Sequence, residues 1–399
     1  MITRRVLLAA GAVSPLRALA RENEMWLSPA LPEGVRDAAA LEAVAGKNPL
    51  IRLSRRPPNY ETPIDYFRHA ITPDEAFFIR YHLSGIPSVD AKTWRLSIAG
   101  EGAQSDVAIT LDELKSMASA EIVAVNQCSG NRRGLFQPHV AGVQWGYGAM
   151  GCARWRGVRL KDLIDKVGVK KETMEVSFVG ADRPAVEKTP AFVKSIPLEK
   201  ALEDSVLVAY EMNGEPLPAL NGFPARIIVP GWTATYWMKH LVAIKLLTRP
   251  EESFWMRTAY RLPKGKFPSP NSFTSQETES NVPITDIMVN SLIAYPVDGA
   301  EIHGGVVIEG VAWDGGTGVK AVDISLDDGK TWAAAQLGED LGRFAFRAFS
   351  FLLPSDASGK IAVTARATNN AGETQGRDLI QNPGGYHHNR MQTVTLNVI

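Results

Sequence analysis

The sequence predicts an α+β protein of two domains, in which a mixed α/β domain precedes an immunoglobulin-like β-sandwich. Three observations predict this organisation. Strand-like runs alternate with short helical patterns from about residue 49 to 248, a polar stretch follows, and short β runs separated by turns fill residues 284–399. A chain of 399 residues is long enough for two or three domains with separate cores.

Composition places the chain among ordinary globular proteins. Hydrophobic residues make up 45% and charged residues 22% of the chain, which excludes disordered, collagenous and membrane-bundle proteins. Lys plus Arg number 43, as do Asp plus Glu, so the formal net charge is zero. We therefore expect no uniform basic surface for nucleic acid or a membrane, and any anion must be bound by a local cluster of charges.

The first twenty residues are predicted to be a Tat signal peptide. Arg4 and Arg5 precede an apolar run at 6–13, and the small-x-small pattern at 18–20 is typical of a signal peptidase site. That run is too short to cross a bilayer, because a spanning helix needs about 20 apolar residues. A Sec signal and a chance basic start are the alternatives. We expect a periplasmic protein.

The first domain is predicted to extend over residues 25–266, and a polar linker over residues 267–283. Within the domain, residues 94–98 and 227–229 are predicted strands. The predicted helices cover residues 110–117 and 160–167.

The second domain is predicted to extend over residues 284–399. Its Asp-Asp-Gly-Lys sequence at 327–330 is typical of a hairpin turn. The predicted strands are 306–308, 322–326, 344–353 and 361–367.

The chemistry is predicted to concentrate at Cys128. A strand-like run at 122–125 precedes this cysteine and Arg132 and Arg133 follow it, so the thiol faces a cationic loop. Nearby guanidinium groups favour a thiolate, which is either a nucleophile or a soft ligand for a heavier transition metal. A buried inert cysteine and a disulfide with Cys152 are the structural alternatives. The two cysteines form no zinc-finger or haem-attachment spacing, so we expect no haem in this chain.

Several motifs together resemble the sulfite oxidase family of molybdenum enzymes. They occur in the family's order along nearly the whole chain after the signal peptide, and the chain is most similar to the bacterial periplasmic sulfite dehydrogenases. The resemblance implies a molybdopterin-binding catalytic domain followed by an immunoglobulin-like dimerisation domain, and therefore a homodimer. The motifs are FIRYH at 78–82, CSGNRR at 128–133, YEMNG at 210–214, GFPAR at 222–226 and GVAWDGG at 310–316.

The resemblance also implies roles for individual residues. Cys128 would be the single protein ligand of a molybdenum carried by molybdopterin, and sulfite would be oxidised to sulfate there. Arg80 and Arg133 match the family's substrate arginines, whose planar guanidinium groups suit an oxyanion. Tyr260 and Trp255 match the active-site tyrosine and a wall of the substrate pocket. The implied cofactor-binding residues are Tyr81, His82, Asp162, Asn221, Arg226, Met238 and Lys239.

The chain departs from the animal members of the family at three places, one of which is residues 232–239, where those enzymes have a more arginine-rich phosphate loop. Residues 381–385 fall where those enzymes send a third arginine to the substrate, so that arginine is not predicted here. Asn221 stands where they have a histidine. Cys152 matches no ligand of the family and is assigned to packing, and His387 and His388 are expected in a solvated loop.

An external electron acceptor is expected. No b-type haem domain precedes residue 50 and no haem-attachment motif occurs, so a periplasmic c-type cytochrome is predicted to take the electrons one at a time. The alternatives are a periplasmic sulfoxide or nitrate reductase on the same scaffold, and a non-enzymatic binding protein.

Overall fold

The computed structural model describes residues 27–267 and 273–399. The predicted signal peptide at 1–20 lies outside the described residues. Within these two ranges, every helix is too short or too polar to cross a bilayer.

Strands dominate both domains, and the α-helices are short. The α-helices are α1 (Glu33–Ala38), α2 (Leu111–Ser116), α3 (Leu160–Val167), α4 (Leu198–Ala201) and α5 (Phe254–Arg257). The strands of the first domain are β1 (Ala40–Glu42), β2 (Leu50–Arg55), β3 (Pro58–Glu61), β4 (Ile79–Arg80), β5 (Arg95–Ala99), β6 (Val107–Thr110), β7 (Ser119–Gln127), β8 (Met150–Arg159), β9 (Glu175–Gly180), β10 (Val193–Pro197), β11 (Leu207–Met212), β12 (Glu215–Pro216), β13 (Arg226–Ile228), β14 (Leu241–Leu247), β15 (Arg261–Pro263) and β16 (Asn281–Pro283). The strands of the second domain are β17 (Asn290–Tyr295), β18 (Glu301–Ile302), β19 (Val307–Trp313), β20 (Val319–Ser325), β21 (Ala333–Ala334), β22 (Gln336–Leu337), β23 (Arg347–Leu352), β24 (Gly359–Asn369) and β25 (Gln392–Val398).

The sheets of the first domain confirm the predicted mixed α+β class. One sheet has the order β10-β9-β14-β5-β6, in which β14 and β5 are parallel and the other pairs are antiparallel. A second has the order β12-β11-β8-β7, with β13 also paired to β11, and a third contains β1 to β4.

Both predicted helices of the first domain are present. Thr110 caps α2, because its hydroxyl accepts from the Glu113 amide while the Glu113 carboxylate accepts from the Thr110 amide. Helix α3 ends at Gly168, whose positive φ of 71° suits glycine.

The long β7–β8 hairpin positions the predicted metal ligand. Gln127 pairs with Met150 at its end, and the Cys128 amide continues the ladder by donating to the Ala149 carbonyl at 2.9 Å. Because side chains alternate along a strand, Asn126 and Cys128 lie on the same face.

The second domain is the predicted β-sandwich. One sheet has the order β17-β19-β23-β22 and the other β18-β25-β24-β20-β21. Ile308 of the first sheet packs in one core with Ile324, Val363 and Leu396 of the second. The predicted turn at 327–330 follows β20, which pairs with the short strand β21 and not with the next long run.

The two domains share an apolar interface. Cys152 is fully buried there, in one cluster with Trp313 and Phe346 of the second domain. The Trp313 indole also donates to the Gln127 side chain at 2.6 Å, next to Cys128 in sequence. The described part of the predicted linker is folded onto the first domain, since β16 pairs with β15 and Phe273 is buried.

Candidate functional site

A cavity opens where the ends of β4 and β7 meet the segment between β13 and β14. It holds about 650 Å³ of space, including its open mouth. Its lining residues are Phe78, Arg80, Tyr81, His82, Asn126, Cys128, Ser129, Asp182, Phe192, Asn221, Arg226, Ala234, Thr235, Trp237, Met238, Lys239 and Tyr260.

The structure brings most of the predicted site residues together here. Trp255 packs against two residues that line the cavity. Its ring centroid lies 5.1 Å from that of His82 and 6.2 Å from that of Tyr260. The predicted residues that line the cavity are Arg80, Tyr81, His82, Cys128, Asn221, Arg226, Met238, Lys239 and Tyr260.

Asp162 does not line the cavity, and its role as a cofactor contact stays a prediction. It lies in the first turn of α3, on the side opposite the buried residues Leu160 and Leu163. The carboxylate that lines the cavity is Asp182, which follows β9. Motifs could not show which of Asp162 and Asp182 lines the cavity, because neither aspartate belongs to a motif.

Cys128 is a buried free thiol at the base of the cavity, and Cys152 is also free. The disulfide alternative is therefore not realised. Burial raises the pKa of Cys152 to about 12, which agrees with its predicted role in packing.

Arg133 lies in the loop after Cys128, beside the cavity but outside its lining, and acts electrostatically on Tyr260. Its guanidinium lies so close to Gly130 that a Cβ there would be 2.5 Å from Nη1, which explains the glycine in this motif. Nε donates to the Gly384 carbonyl of the second domain at 2.9 Å. The arginine is thereby fixed from both domains.

Arg226 and Lys239 form a buried cationic wall. The Arg226 guanidinium donates to the Asn221 carbonyl at 2.9 Å and lies 5.1 Å from the centre of the Trp155 ring. Burial lowers the pKa of Arg226 to about 9, and burial together with Arg226 holds the pKa of Lys239 well below its usual range. The Lys239 ammonium lies over the Tyr81 ring.

Arg80, Arg133 and Arg226 lack carboxylate partners among the described residues, and Asp182 acts on Lys239 electrostatically without forming an ion pair. Among the described residues, no ion pair includes Arg80, Arg133, Arg226 or Lys239. Buried charges are normally paired, since desolvation is costly. The arrangement is suited to an anionic ligand.

His82 and Tyr260 form a hydrogen-bonded pair through Nε2 and the phenol oxygen. His82 also stacks on Phe192 at 3.7 Å between ring centroids. Burial and the charge of Arg80 keep the pKa of His82 well below its usual range, so the imidazole is neutral. Burial raises the pKa of Tyr260, an effect that Arg80 opposes and Cys128 reinforces. Tyr260 has a φ of 59°, a left-handed conformation that is rare for a bulky residue and common at functional sites.

Two buried polar atoms of residues that line the cavity have no partner within the described part of the chain. They are Asn126 Nδ2 and Arg226 Nε. An unsatisfied buried group costs about 1–3 kcal/mol, so both are available to a ligand. Sequence reasoning missed Asn126 and Thr235; the two-residue spacing of Asn126 from Cys128 was a usable signal for the first.

One other expectation differs from the structure. His387 and His388 are buried, where a solvated loop was expected. The His387 ring packs against Phe267 and the His388 ring against Phe136. These aromatic contacts explain why both polar side chains are buried. Within the described residues, no group of His, Cys, Asp and Glu could by itself hold a metal ion.

Two domain profiles match the chain. An oxidoreductase molybdopterin-binding domain matches residues 82–255, and a Mo-co oxidoreductase dimerisation domain matches residues 281–399. The second match begins inside the predicted linker, at β16.

The chain is similar to characterised sulfite oxidases. It is 38% identical to the mitochondrial sulfite oxidase of Macaca fascicularis over 307 residues, which cover 74% of this chain and 55% of that protein. It is 32% identical to the sulfite oxidase of Gallus gallus, over 82% of this chain and 73% of that protein. The chain thus spans about half the length of the mammalian relatives it matches.

The fold is also that of a solved structure, the sulfane dehydrogenase SoxCD from Paracoccus pantotrophus. The TM-score is 0.72 over 100% of this chain and 96% of that chain, at 24% sequence identity. At that identity the likeness establishes the fold alone.

The described residues fit a molybdopterin with its metal. Arg226 and Lys239 supply positive charge for a phosphate, Asn126 Nδ2 and Arg226 Nε supply unused hydrogen-bonding capacity, and Cys128 supplies a free thiol for a soft metal.

Proposed function

The chain belongs to the sulfite oxidase family of molybdenum oxidoreductases, and on that basis we propose that it is a sulfite dehydrogenase. In the overall reaction, sulfite and water give sulfate, two electrons and two protons. The observation that carries this proposal is that Arg80 and Tyr260 line the cavity together with Cys128, while the charge of Arg133 acts on Tyr260 from beside it.

Cys128 would hold the metal through its sulfur, with Arg226 and Lys239 at the phosphate of the pterin. Tyr81, His82, Asn221 and the Met238 segment would complete the cofactor site. When bound, the molybdenum supplies the oxygen atom for sulfur and accepts two electrons.

Arg80 and Arg133 would bind and orient the sulfite. Each is a permanent cation, and neither is neutralised by a carboxylate in the described structure, so both charges act on the anion. A guanidinium about 4 Å from an oxyanion contributes up to about 4 kcal/mol at an effective dielectric near 20, before desolvation. The planar fork also fixes the direction of approach.

Tyr260 would keep a proton at its phenol oxygen beside the reacting anion. Burial raises its pKa, so the phenol is protonated at neutral pH and can act as a donor. His82 is neutral and holds the phenol in place through Nε2. Trp255 and Phe192 pack against the His82 ring and limit its movement.

We further propose that the electrons pass singly to a periplasmic c-type cytochrome, after export of the folded protein by the Tat pathway. The paired arginines at the N-terminus support export. The match to a dimerisation domain supports a homodimer.

The test is sulfite-dependent reduction of ferricyanide, and of a co-expressed c-type cytochrome, by purified full-length protein. Molybdenum is quantified in the same preparation. We expect turnover in proportion to the molybdenum content. Protein with stoichiometric molybdenum but no sulfite turnover would contradict the proposal, and reduction of nitrate or a sulfoxide by a reduced dye would then identify an alternative. Brisk reaction with oxygen and none with cytochrome would contradict the acceptor alone.

A further inference from the structure

Residues 382–386 of the second domain, here called the closing segment, contact Arg133 and the cavity-lining residue Tyr260. Its ends are joined by the Asn382 side chain, whose Nδ2 donates to the Tyr386 carbonyl at 2.8 Å and whose Oδ1 accepts from the Tyr386 amide at 2.9 Å. The segment is therefore held in one conformation by its own hydrogen bonds.

Tyr386 of this segment contacts two residues of the proposed substrate site. Its ring stacks on that of Tyr260 with centroids 5.7 Å apart and planes at 29°. The Arg133 guanidinium lies 5.0 Å from the centre of the same ring, within the range of a cation–π contact. A single side chain of the second domain thus contacts both Arg133 and Tyr260.

The backbone of the segment fits the same arrangement. Arg133 Nε donates to the Gly384 carbonyl at 2.9 Å. A Cβ at Gly384 would lie 2.2 Å from Cε2 of Tyr386, so the ring fills the space that a side chain at 384 would need. Glycine at 384 and the aromatic ring at 386 therefore depend on each other.

The charges around the ring agree with a fixed, neutral side chain. Burial raises the pKa of Tyr386 to about 12, with Tyr260 and Cys128 adding to the rise and Arg133 opposing it. The phenol remains uncharged at neutral pH and does not repel an anion bound by Arg133.

We propose that Tyr386 is a positioning residue for the substrate, by which the second domain holds Arg133 and Tyr260 in the arrangement that binds an oxyanion. This rests on the proposed function, because the oxyanion is taken to be sulfite or its product sulfate. An uncharged ring of the second domain thus orients Arg133, the cation that contacts the substrate.

The test compares Tyr386→Leu, which removes the ring, with Tyr386→Phe, which keeps it. Molybdenum-loaded full-length proteins are assayed for sulfite KM and kcat, and inorganic sulfate binding is measured by calorimetry. We expect KM and the sulfate Kd of Tyr386→Leu to rise about 10-fold with kcat changed about 3-fold at most, and Tyr386→Phe to stay within about 3-fold of the parent.

Tyr295→Leu is the matched control. Tyr295 is also a tyrosine of the second domain with an arginine over its ring, but that arginine is Arg68, 4.5 Å from the centroid, and not the substrate-site residue Arg133. This variant should keep the parent KM and sulfate Kd. Tyr386→Met is prepared as well, in case Tyr386→Leu does not yield folded protein.

The outcomes separate this proposal from the proposed function. Parent-like sulfate binding and KM in both Tyr386→Leu and Tyr386→Met would overturn the positioning role, as would equal losses in Tyr295→Leu. Absence of sulfate binding by the parent would also overturn it. If Tyr386→Leu binds sulfate more weakly than the parent while the parent shows no sulfite turnover, the result would support the role of Tyr386 and contradict the proposed reaction.

Discussion

Arg132 of the first domain donates from Nη1 to the side-chain oxygen of Asn290 in the second domain at 2.8 Å. Its Nη2 donates to the Ser291 carbonyl at the same distance. The guanidinium is fully buried, and burial lowers the pKa of Arg132 to about 10. The adjacent arginines therefore have different surroundings. Arg132 hydrogen-bonds to the second domain, while Arg133 lies beside Tyr386 and its charge opposes the rise in the pKa of Tyr260.

Arg132→Met should destabilise the protein. The change removes two charge-assisted hydrogen bonds and leaves the Asn290 and Ser291 oxygens with fewer partners, at a cost of about 3 kcal/mol or more in the free energy of unfolding. Urea unfolding followed by fluorescence measures this. Arg95→Met, on the exposed face of β5, is the control, and equal midpoints for the two variants would contradict the interdomain role.

Cys128→Ser should abolish sulfite turnover and lower the molybdenum content, because a hydroxyl is a poor ligand for a soft metal. Cys152→Ser, the matched buried thiol, should remain active. Its unfolding free energy should fall by about 1–3 kcal/mol, since the hydroxyl enters an apolar cluster. Turnover and metal are measured on the same preparations. Equal loss of activity in both variants would refute the assignment of Cys128.

The fold could be predicted where the pattern is local. The Thr110 cap and its Glu113 partner are readable from four residues, and helix α2 begins there. Strand runs in the second domain alternate regularly, so the sandwich was also accessible. The boundary near residue 281 could not be predicted. Composition shows only that this segment is polar, whereas its structure depends on pairing with β15.

The candidate site was predicted as far as motifs extend. Arg80, Cys128 and Tyr260 lie in recognisable motifs and meet at the cavity. Asp182 and Tyr386 belong to no motif, and only the folded chain brings them to the site. A contact between domains, such as that of Tyr386 with Arg133, leaves no trace in local spacing.

Arg226→Met should affect the cofactor-free and loaded proteins in opposite directions. Without an anion, this buried cation has no carboxylate partner in the described structure, so replacing it should leave stability unchanged or raise it. With the cofactor, the loss of a charge-assisted contact should reduce molybdenum retention about tenfold or more. Metal analysis and thermal unfolding of both forms measure this. Unchanged metal content would refute the phosphate role.

Tyr260→Phe should lower kcat more than it raises KM, because the ring and its stacking on Tyr386 remain while the hydroxyl bonded to His82 is lost. Loss of one positioned proton donor reduces rates by about 10²–10⁴-fold. Tyr236→Phe is the matched control, since the buried Tyr236 hydroxyl has no hydrogen-bond partner among the described residues. It should keep its activity. A Tyr260→Phe enzyme with the parent kcat would contradict the proposed donor.

Glu61→Gln should flatten the pH dependence of stability. Glu61 is fully enclosed beneath the loop that follows Arg133, where its Oε2 accepts from the Gly146 amide at 2.8 Å. Burial raises the pKa of Glu61 from 4.5 to about 8. Between these values the folded protein binds more protons than the unfolded chain, so this carboxyl makes stability fall as pH rises through the window.

The slope contributed by Glu61 is at most about 1.4 kcal/mol per pH unit. Glutamine retains the carbonyl oxygen that accepts from Gly146 and has no charge to acquire, so the contribution should vanish. Urea unfolding at several pH values between 5 and 8 measures it, with Glu121→Gln as the control, because Glu121 is exposed. If Glu61→Gln and the parent lose stability equally across this window, Glu61 does not carry the extra proton, and another buried group must account for the pH dependence.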